Sequence, residues 1–280
     1  MREASVIRLQ EGDEGVADFV VGINEKPDEG GRVINVTPES AGWQYVGFQV
    51  LRLAAGRTVE RSTGDEEVCL VLLEGFCNVS AGNDEWRGIG GRDSVFEGPP
   101  CAVYLPPGTE YSVEADSYLE LAVCSAPAEK GGEPFLVRPG DVEVEVRGSG
   151  NAERRVHPIL MSEGQAERLL VVEVLTPGGH WSSYPPHKHD QENLPEESYL
   201  EETYYHRIQP PQGFALQRVY TGDRSLDETM TVVDGDTVLV PRGYHTVSAP
   251  PGYDLYYLNV MAGPVREWKF CNDPDHEWLF

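Results

Sequence analysis

The sequence has few basic residues and no long apolar run. Of its 280 residues, 22 are Lys or Arg and 47 are Asp or Glu, which gives a formal net charge of −25. Such a charge repels nucleic acid and anionic membrane surfaces, so neither is an expected partner. No stretch is long and apolar enough for a signal peptide or a bilayer span. These absences predict a cytoplasmic protein that does not bind membranes.

Cysteine is scarce, and the cysteines never form a C-x-x-C pair. The odd number of five favours reduced, mostly buried thiols, and the spacing disfavours a Cys-based zinc site or a thiol nucleophile. No glycine-rich, phosphate-cradling loop is present, so neither a nicotinamide nor a flavin cofactor is expected. The cysteines are Cys69, Cys77, Cys101, Cys124 and Cys271.

Long helical periodicity is nearly absent, and short apolar or alternating runs take its place. They are rich in Val, Leu, Tyr and Phe and end in Gly, Pro, Asp or Asn, as strands bounded by turns do. This pattern predicts an all-β sandwich or barrel, with short helical pieces near residues 162–168 and at the C-terminus. The runs are "CLVLLEG", "CAVYLPPG", "LELAVCSA", "LLVVEVLTPGG", "FALQRVYTG", "DTVLVPRG" and "LYYLNVMAG".

An internal repeat divides the chain. Glu67 and Glu202 are each followed after 41 residues by a glycine, Gly108 and Gly243, so the two halves are offset by 135 residues. Two copies of one β-unit, joined by the stretch "EVEVRGSGNAERR", explain this offset. We therefore predict two domains, residues 1–150 and residues 151–280.

The two copies differ in their chemistry. At the offset of 135, the first copy has Glu110 where the second has His245, and it lacks a counterpart of the "HKH" triplet. The reaction chemistry is therefore expected in the second half, and a structural role in the first. All seven histidines lie in the second half, at positions 157, 180, 187, 189, 206, 245 and 276.

The triplet predicts a metal site. On a strand, residues two apart point to the same side, so His187 and His189 can direct both imidazoles at one point. Glu202 and His245 are the candidates for the remaining ligands. Imidazole and carboxylate suit zinc, manganese or iron, and an open position would accept substrate or water.

Strand alternation selects Glu202 over its neighbour. Glu202, Tyr204 and His206 share one face of a strand and form a polar pocket wall, while Glu201 faces the other way. Glu201 is then expected to face solvent, unless a bulge in the strand exchanges the two glutamates.

At these residues the sequence resembles the cupin superfamily. "HKH" with Glu202 matches the first cupin motif, and "GDTVLVPRGYH", from Gly235 to His245, matches the second. The sequence departs from the pattern in the twelve residues between His189 and Glu202, and in Gln209, which replaces a closing glycine.

Longer stretches are similar to the family of 5-deoxy-glucuronate isomerases, two-cupin enzymes of bacterial myo-inositol catabolism. They are "HWSSYPPHKHD", "LEETYYHRIQPPQGFALQRVYT" and "VLVPRGYHTVSAPPGYDLYYLNVMAGP". A more distant likeness is to 5-keto-4-deoxyuronate isomerase. The resemblance implies a bicupin of two tandem antiparallel β-sandwich or jelly-roll barrels, assembled as a homo-oligomer. It also implies an aldose–ketose isomerisation of 5-deoxy-D-glucuronate to 5-dehydro-2-deoxy-D-gluconate, assisted by a divalent metal.

The reaction moves a hydrogen between C2 and C1 of the sugar acid. A general base could carry the proton, or a hydride could shift directly without a base. The candidate catalytic side chains are Tyr204, His206, Lys188 and Glu201.

The substrate carboxylate needs a cationic partner in this acidic protein. Arg218 is the first candidate because an Arg in an otherwise apolar strand presents a rigid bidentate fork. Replacing Arg218 by Ala is expected to raise the KM for the uronate without removing metal. The further candidates for substrate binding are Arg242, Arg207 and Tyr184.

Other functions are compatible with the same ligand set. A metal-dependent cupin dioxygenase would use the same histidines and glutamate, and so would an isomerase for another uronate. A non-catalytic binding cupin is a third alternative. Oxygen consumption would reveal the dioxygenase, and a role that survives loss of metal would favour the binding protein.

Overall fold

The structure is a computed structural model that describes residues 19–279, and it is nearly all β. The N-terminal "MREASVIRLQEGDEG", where no signal peptide is expected, lies outside the described residues. The strands are β1 (Val20–Val21), β2 (Arg32–Val36), β3 (Gly47–Leu53), β4 (Thr58–Ser62), β5 (Glu66–Glu74), β6 (Phe76–Ala81), β7 (Asp84–Gly90), β8 (Cys101–Leu105), β9 (Glu110–Ala115), β10 (Leu119–Pro127), β11 (Phe135–Val137), β12 (Glu145–Arg147), β13 (Arg154–Leu160), β14 (Leu170–Thr176), β15 (Trp181–Lys188), β16 (Asp190–Asn193), β17 (Glu197–Tyr199), β18 (Glu201–Gln209), β19 (Phe214–Tyr220), β20 (Asp227–Val233), β21 (Thr237–Val240), β22 (Tyr244–Ser248), β23 (Asp254–Ala262) and β24 (Cys271–Asn272).

Between residues 19 and 279, helical structure is limited to short pieces. All seven apolar runs singled out in the sequence lie in strands, which confirms the all-β prediction. The C-terminal helical piece is a 3-10 helix. The helices are α1 (Pro38–Ala41) and the 3-10 turns Pro139–Asp141, Gly150–Ala152 and Pro274–Leu279.

The chain forms two compact units. The first unit comprises Ile23–Val144 and His157–Val172. The second unit comprises the described residues up to Gly22, together with Glu145–Val156 and the chain from Glu173 onward. A division into independently folding domains at residue 150 stays a prediction.

The first unit is a sandwich of two antiparallel sheets around an apolar core. Its larger sheet has the order β11-β8-β5-β10-β3-β2, and its smaller sheet has the order β4-β9-β6-β7. Alternate residues of both sheets point inward and pack together, among them Val68, Leu70 and Leu72 of β5 and Val113 of β9. Burial of these side chains, worth about 1.5–3 kcal/mol each, stabilises the sandwich.

The second unit repeats this strand order. Its larger sheet runs β1-β21-β18-β23-β14-β13-β12, and its smaller sheet runs β24-β15-β22-β19-β20. The central strands β21-β18-β23-β14 correspond to β8-β5-β10-β3, and β15-β22-β19-β20 correspond to β4-β9-β6-β7. The repeat read from the sequence is therefore an architectural repeat of two sandwiches.

The strands that precede the P-x-G turns keep the offset of 135 read in the sequence, but the strands paired with them match at an offset of 134. Leu105 and Val240 each end the strand before a P-x-G turn, and they pair with Val68 and Glu202 respectively. Val68, and not Glu67, therefore holds the position of Glu202. A shift of one residue moves every side chain to the other face of the sheet, so the sequence alignment placed Glu67 on the wrong face.

The same shift applies to the third histidine position. Tyr111 points into the core of the first unit as His245 points into the interior of the second, whereas Glu110 is exposed. The expectation that Glu110 replaces His245 was therefore wrong.

Glu67 has a structural role outside the core of its sandwich. Its carboxylate accepts backbone N–H groups of Glu167, Arg168 and Leu169 at 2.8, 2.6 and 2.7 Å. The hydroxyl of Tyr104 donates to it at 2.8 Å. The helical piece predicted near residues 162–168 is absent, because the backbone donors at the end of this segment bind the carboxylate and the segment forms turns.

The cysteines and the helices agree with the sequence-based expectations. All five cysteines are free thiols, and four of them are buried. Burial raises the pKa of Cys77 to about 12, so this thiol is unreactive. Within residues 19–279, every helix is too short or too polar to cross a lipid bilayer.

Candidate metal centre

Three histidines converge inside the second unit. His187 and His189 come from the end of β15, and His245 lies directly opposite His187 on β22. One ring nitrogen from each lies within 4.8 Å of the other two. Their exposed fractions are 9, 3 and 0 %. His187 and His189 point to the same side because side chains two residues apart share one face of an extended strand.

A glycine turn positions the third histidine. Gly243 has φ +90°, and a Cβ at this position would come within 2.5 Å of the carbonyl oxygen of Tyr220. Only glycine fits this approach and this backbone conformation without strain. The Gly243 N–H donates to Asp190 Oδ2 at 2.7 Å, which ties the start of β22 to the residue after His189.

Glu202 completes the cluster from the larger sheet. Its Oε2 lies 3.1 Å from His189 Nε2 and 3.0 Å from His245 Nε2. Its Oε1 accepts a hydrogen bond from the Asn259 side chain on the neighbouring strand β23. One carboxylate oxygen is thus fixed by an amide while the other points at the histidines.

The donor atoms of the cluster are arranged more favourably for binding a cation than for hydrogen-bonding to one another. His189 Nδ1 lies 3.1 Å from the carbonyl of Leu200, and His245 Nδ1 lies 3.2 Å from the carbonyl of Gly243. Each Nδ1 is placed to donate to its carbonyl, and each Nε2 faces Glu202; His189 Nε2 is hydrogen-bonded to Glu202 Oε2 at 3.1 Å. His245 Nε2 is buried without a hydrogen-bond partner although Glu202 is close, because the two atoms are not aligned for one. Three imidazole nitrogens and a carboxylate oxygen fit a divalent transition metal.

Charge and burial act in opposite directions on these groups. Burial would raise the pKa of Glu202, but His245 and His189 hold it well below its usual range. Burial lowers the pKa of His187 well below its ordinary value, and the other two histidines lower it further. Burial would lower the pKa of His189, but the neighbouring Glu202 raises it above its ordinary value. Metal binding requires an ionised carboxylate and neutral imidazoles, so a bound cation would displace a proton from His189.

Two tyrosines line the interior next to the cluster. The ring of Tyr204 lies 5.9 Å from that of His245 and 4.9 Å from that of Tyr257. The hydroxyl of Tyr204 is 3.0 Å from Ser183 Oγ, and that of Tyr257 is 2.7 Å from Ser182 Oγ. Burial, followed by the charge of Glu202, raises the pKa of Tyr204 well above its usual value. Tyr204 is therefore a neutral phenol that can donate a proton or a hydrogen bond.

His206 lies one step further from the cluster on the same face of β18. Its ring is nearly parallel to that of Tyr204, at 6.1 Å, and its Nε2 lies 2.8 Å from Gln217 Oε1. Burial lowers the pKa of His206 to about 4. The imidazole is thus neutral at physiological pH and supports the Tyr204 ring.

Two candidate catalytic residues lie away from the cluster. Glu201 is buried on the opposite face of β18, so the expectation that it faces solvent was wrong. Lys188 lies on the outer side of β15 and pairs with Asp190 and Glu197 at 2.7 and 2.8 Å. Burial would lower the pKa of Lys188, but its two carboxylate partners raise it, so it stays a cation and cannot serve as a base.

The structure does not bring Arg218 into the interior. Alternation on β19 points Gln217 inward and Arg218 outward, so an Arg in an apolar-looking strand faces the surface. Its guanidinium makes a bidentate pair with Asp227 at 2.8 Å for both bonds and lies over the ring of Tyr220.

The other substrate-binding candidates also lie outside the cluster. Arg207 pairs with Asp234 at 3.0 Å. Arg242 is exposed and lines a surface cavity of about 470 Å³ together with Lys188. Tyr184 packs on Trp181, with ring centroids 5.5 Å apart.

Several residues of the interior were missed in the sequence. Tyr257 and Asn259 alternate within the apolar run "LYYLNVMAG", and their register opposite His206 and Tyr204 places them on the same inner face. A polar residue in a buried strand was the available signal for Asn259. No comparable signal marked Gln217, Ser182 or Ser183, because the sequence around each of them already contains other polar residues.

The fold and the cluster define the class of protein, a bicupin with a candidate metal centre in its second unit. The structure matches an oxalate decarboxylase from Lactobacillus farciminis with a TM-score of 0.65, over 93 % of this chain and 90 % of that chain. At 14 % identity this likeness shows the fold alone.

The sequence then places the chain in a family. The model of the KduI/IolB family matches residues 22–279, and the chain belongs to this family. It is 62 % identical over 258 residues to the 5-deoxy-glucuronate isomerase of Geobacillus thermodenitrificans, covering 91 % of this chain and 94 % of that protein. The enzyme of the same name from Bacillus subtilis strain 168 is 50 % identical over 249 residues, covering 88 % and 92 %.

A solved structure supports the same placement. The crystal structure of an IolB-like protein from Salmonella typhimurium LT2 matches with a TM-score of 0.91 and 49 % identity, over 94 % of this chain and 99 % of that chain.

Proposed function

We propose that this chain is an aldose–ketose isomerase that converts 5-deoxy-D-glucuronate to 5-dehydro-2-deoxy-D-gluconate. The observation that carries the proposal is the convergence of three histidines and Glu202 in a buried, polar sandwich interior. Relatives at 50–62 % identity over about nine-tenths of the chain carry the name of this isomerase. The place of this conversion is the degradation of myo-inositol.

A divalent metal is part of the proposal. His187, His189, His245 and Glu202 would hold it, and zinc, manganese and iron(II) all suit this donor set. When bound, the ion would supply a Lewis acid that stabilises negative charge on the oxygens at C1 and C2 of the sugar acid.

The protein itself supplies a proton donor and a dry site. Tyr204 is a neutral phenol beside the cluster, held by Ser183, and it is placed to donate a hydrogen bond or a proton to a substrate oxygen. Glu202 and the histidines are at most 9 % exposed, so the reacting oxygens would meet fixed donors in place of bulk water.

The conversion is tested by proton NMR on the metal-loaded protein mixed with 5-deoxy-D-glucuronate. Signals of the aldehyde hydrate should give way to those of the ketone. The double variant His187→Ala/His189→Ala should lose both metal and turnover. His276→Ala, which removes a partly exposed histidine near the C-terminus, is the matched control and should retain both. Metal retention without turnover of this substrate would overturn the assignment; other uronates and oxygen uptake would then identify another isomerase or a dioxygenase.

The route of the hydrogen is tested in deuterated water. Solvent deuterium at C1 of the product supports transfer by a side chain, and Tyr204→Phe should then slow turnover strongly. Product without deuterium supports a direct hydride shift, in which case Tyr204 acts only as a hydrogen-bond donor.

Assembly and location complete the proposal. A homo-oligomer in the cytoplasm, acting on a small sugar acid and on neither nucleic acid nor membranes, stays a prediction. Light scattering of the purified protein measures its oligomeric state, and fractionation of the cells that express it locates it.

A further inference from the structure

The C-terminal segment adds a strand to the smaller sheet of the second unit. Within residues 19–279 that sheet runs β24-β15-β22-β19-β20, whereas its counterpart in the first unit, β4-β9-β6-β7, ends at β4. The additional strand β24 pairs with the end of β15, where Asn272 lies opposite His187. The next residue, Asp273, donates its N–H to the carbonyl of Pro186 at 2.9 Å. The unit with the histidine cluster therefore has an additional strand directly beside the first histidine of its H-x-H triplet.

Hydrogen bonds hold this segment on both sides of Phe270. On one side, the backbone N–H of Lys269 donates to Ser198 Oγ at 3.1 Å, and the carbonyl of Lys269 accepts the N–H of Ser198 at 3.0 Å. On the other side, the carboxylate of Asp273 accepts the hydroxyl of Tyr220 at 2.5 Å, and Asp273 is buried. Because the backbone is fixed before and after it, Phe270 has a defined position.

Phe270 packs against the most exposed of the three histidines. The centroids of the Phe270 and His187 rings are 4.8 Å apart, and the ring of His245 lies 4.6 Å from that of His187. The ring of Trp268 lies 5.4 Å from that of Phe270. His187 is therefore in contact with two rings, one from inside the cluster and one from the C-terminal segment.

The contact with Phe270 constrains His187 by packing. His189 and His245 are oriented by backbone carbonyls, which lie 3.1 and 3.2 Å from their Nδ1 atoms. An aromatic ring against the face or edge of an imidazole limits its rotation in a similar way, because turning the imidazole would lose the ring contact. Side chains that orient a ligand raise the affinity of a metal site, since the ligand is ordered before the ion binds.

We infer that Phe270 is a positioning residue of the metal centre and holds the imidazole of His187 in the orientation of a ligand. This inference rests on the divalent metal of the proposed function. It gives the C-terminal segment a role that the first unit, which lacks the histidines, does not need.

The test measures binding of cobalt(II) to the metal-free protein, in competition with a chelating dye. Phe270→Ala should weaken the affinity about 10- to 100-fold, the loss typical of residues that orient a ligand. The visible absorption of bound cobalt(II) depends on the geometry of its ligands and should change in the same variant. Phe270→Tyr, which retains the ring, should restore both affinity and absorption. Circular dichroism should show the same fold in every variant.

Phe214→Ala is the matched control. Phe214 is 40 % exposed, against 41 % for Phe270, and it lies on β19 of the same sheet. Its ring packs on Tyr253, at 6.4 Å, and not on a histidine. Affinity and absorption should therefore stay as in the wild-type protein. Equal weakening in Phe214→Ala would show a general effect of losing an exposed ring and would overturn the inference.

The remaining outcomes are distinguishable. If the wild-type protein binds cobalt(II) and Phe270→Ala binds it with the same affinity and absorption, Phe270 does not position His187, and the proposed function is unaffected. Weaker binding with unchanged absorption would mean that the ligand geometry is intact, which also refutes a positioning role. If the wild-type protein binds no cobalt(II), the metal centre of the proposed function fails and the inference fails with it.

Discussion

The two units share one strand order but have opposite interiors. Where the first unit packs Val68, Leu70 and Leu72 on one strand, the second has Glu202, Tyr204 and His206. The first interior is held by apolar burial alone. The second is held by hydrogen bonds between its two sheets, such as that between His206 and Gln217 at 2.8 Å.

This difference separates stability from chemistry. Buried polar groups cost free energy unless each finds a partner, and several in the second unit have none within the described residues. Between its two sheets the first unit avoids this cost, because the side chains that pack there are apolar. A duplicated sandwich can therefore keep one copy as a stable scaffold while the other accommodates a reactive site.

The largest effect is expected from replacing His245, the third histidine of the cluster. His245→Ala should remove the metal and lower kcat/KM at least about 1,000-fold, equivalent to roughly 4 kcal/mol of transition-state stabilisation. Tyr111→Phe, at the corresponding position of the first unit, should change neither. Metal analysis, steady-state kinetics and circular dichroism measure the outcome. Loss of activity with Tyr111→Phe would contradict the division of roles.

Glu67 should show the converse effect. Glu67→Ala leaves three backbone N–H groups and the Tyr104 hydroxyl without their acceptor, and it should lower the free energy of unfolding by about 3–4 kcal/mol. Urea denaturation measures this change, and the metal content of the folded protein should not change. The exposed Glu110→Ala is the control, with an expected change within about 0.5 kcal/mol. Loss of metal in folded Glu67→Ala would show that the first unit supports the centre directly.

The polar interior should also make stability depend on pH. The pKa of His206 falls from its ordinary 6.5 to about 4 in the folded protein, so between these values the unfolded chain binds the proton and the folded chain does not. Stability therefore falls as pH decreases from 6.5 to 4, by about 3 kcal/mol from this residue. His206→Gln should flatten this dependence in denaturation curves measured across the window. An unchanged slope would show that His206 protonates without opposing the fold.

The smallest effect is expected from removing the hydrogen bond that orients Glu202, a candidate metal ligand. Asn259 fixes one oxygen of Glu202, and Val123 has the corresponding place in the first unit. Asn259→Val should weaken metal binding about 10- to 100-fold, because loss of a partner to a ligand costs that much in other metal sites. Competition with a chelating dye measures the affinity. Unchanged affinity would show that Glu202 is oriented by the histidines alone.

Much of this architecture could be predicted from the sequence. The short apolar runs all became strands, and the H-x-H spacing placed His187 and His189 on one side of β15 because strand alternation is a local property. The same reasoning separated Glu202 from Glu201. The repeat was visible as well, because Gly108 and Gly243 occupy the same turn in the two units.

Other features depended on long-range pairing. A repeat offset wrong by one residue exchanged the two faces of a sheet, and only the pairing of Val68 with Leu105 corrected it. Arg218 looked like a buried cation because its neighbours are apolar, but which face of β19 is inward depends on the opposite sheet.

The sequence by itself determined the strands, the internal repeat and the candidate ligand set of three histidines and one glutamate. These features follow from local alternation and composition. Only the tertiary structure decided which oxygen of Glu202 points at the cluster, which tyrosines adjoin the cluster, and that the carboxylate of Glu67 instead binds the backbone of a loop. Those depend on distances between residues far apart in the chain, which are set when two sheets pack face to face.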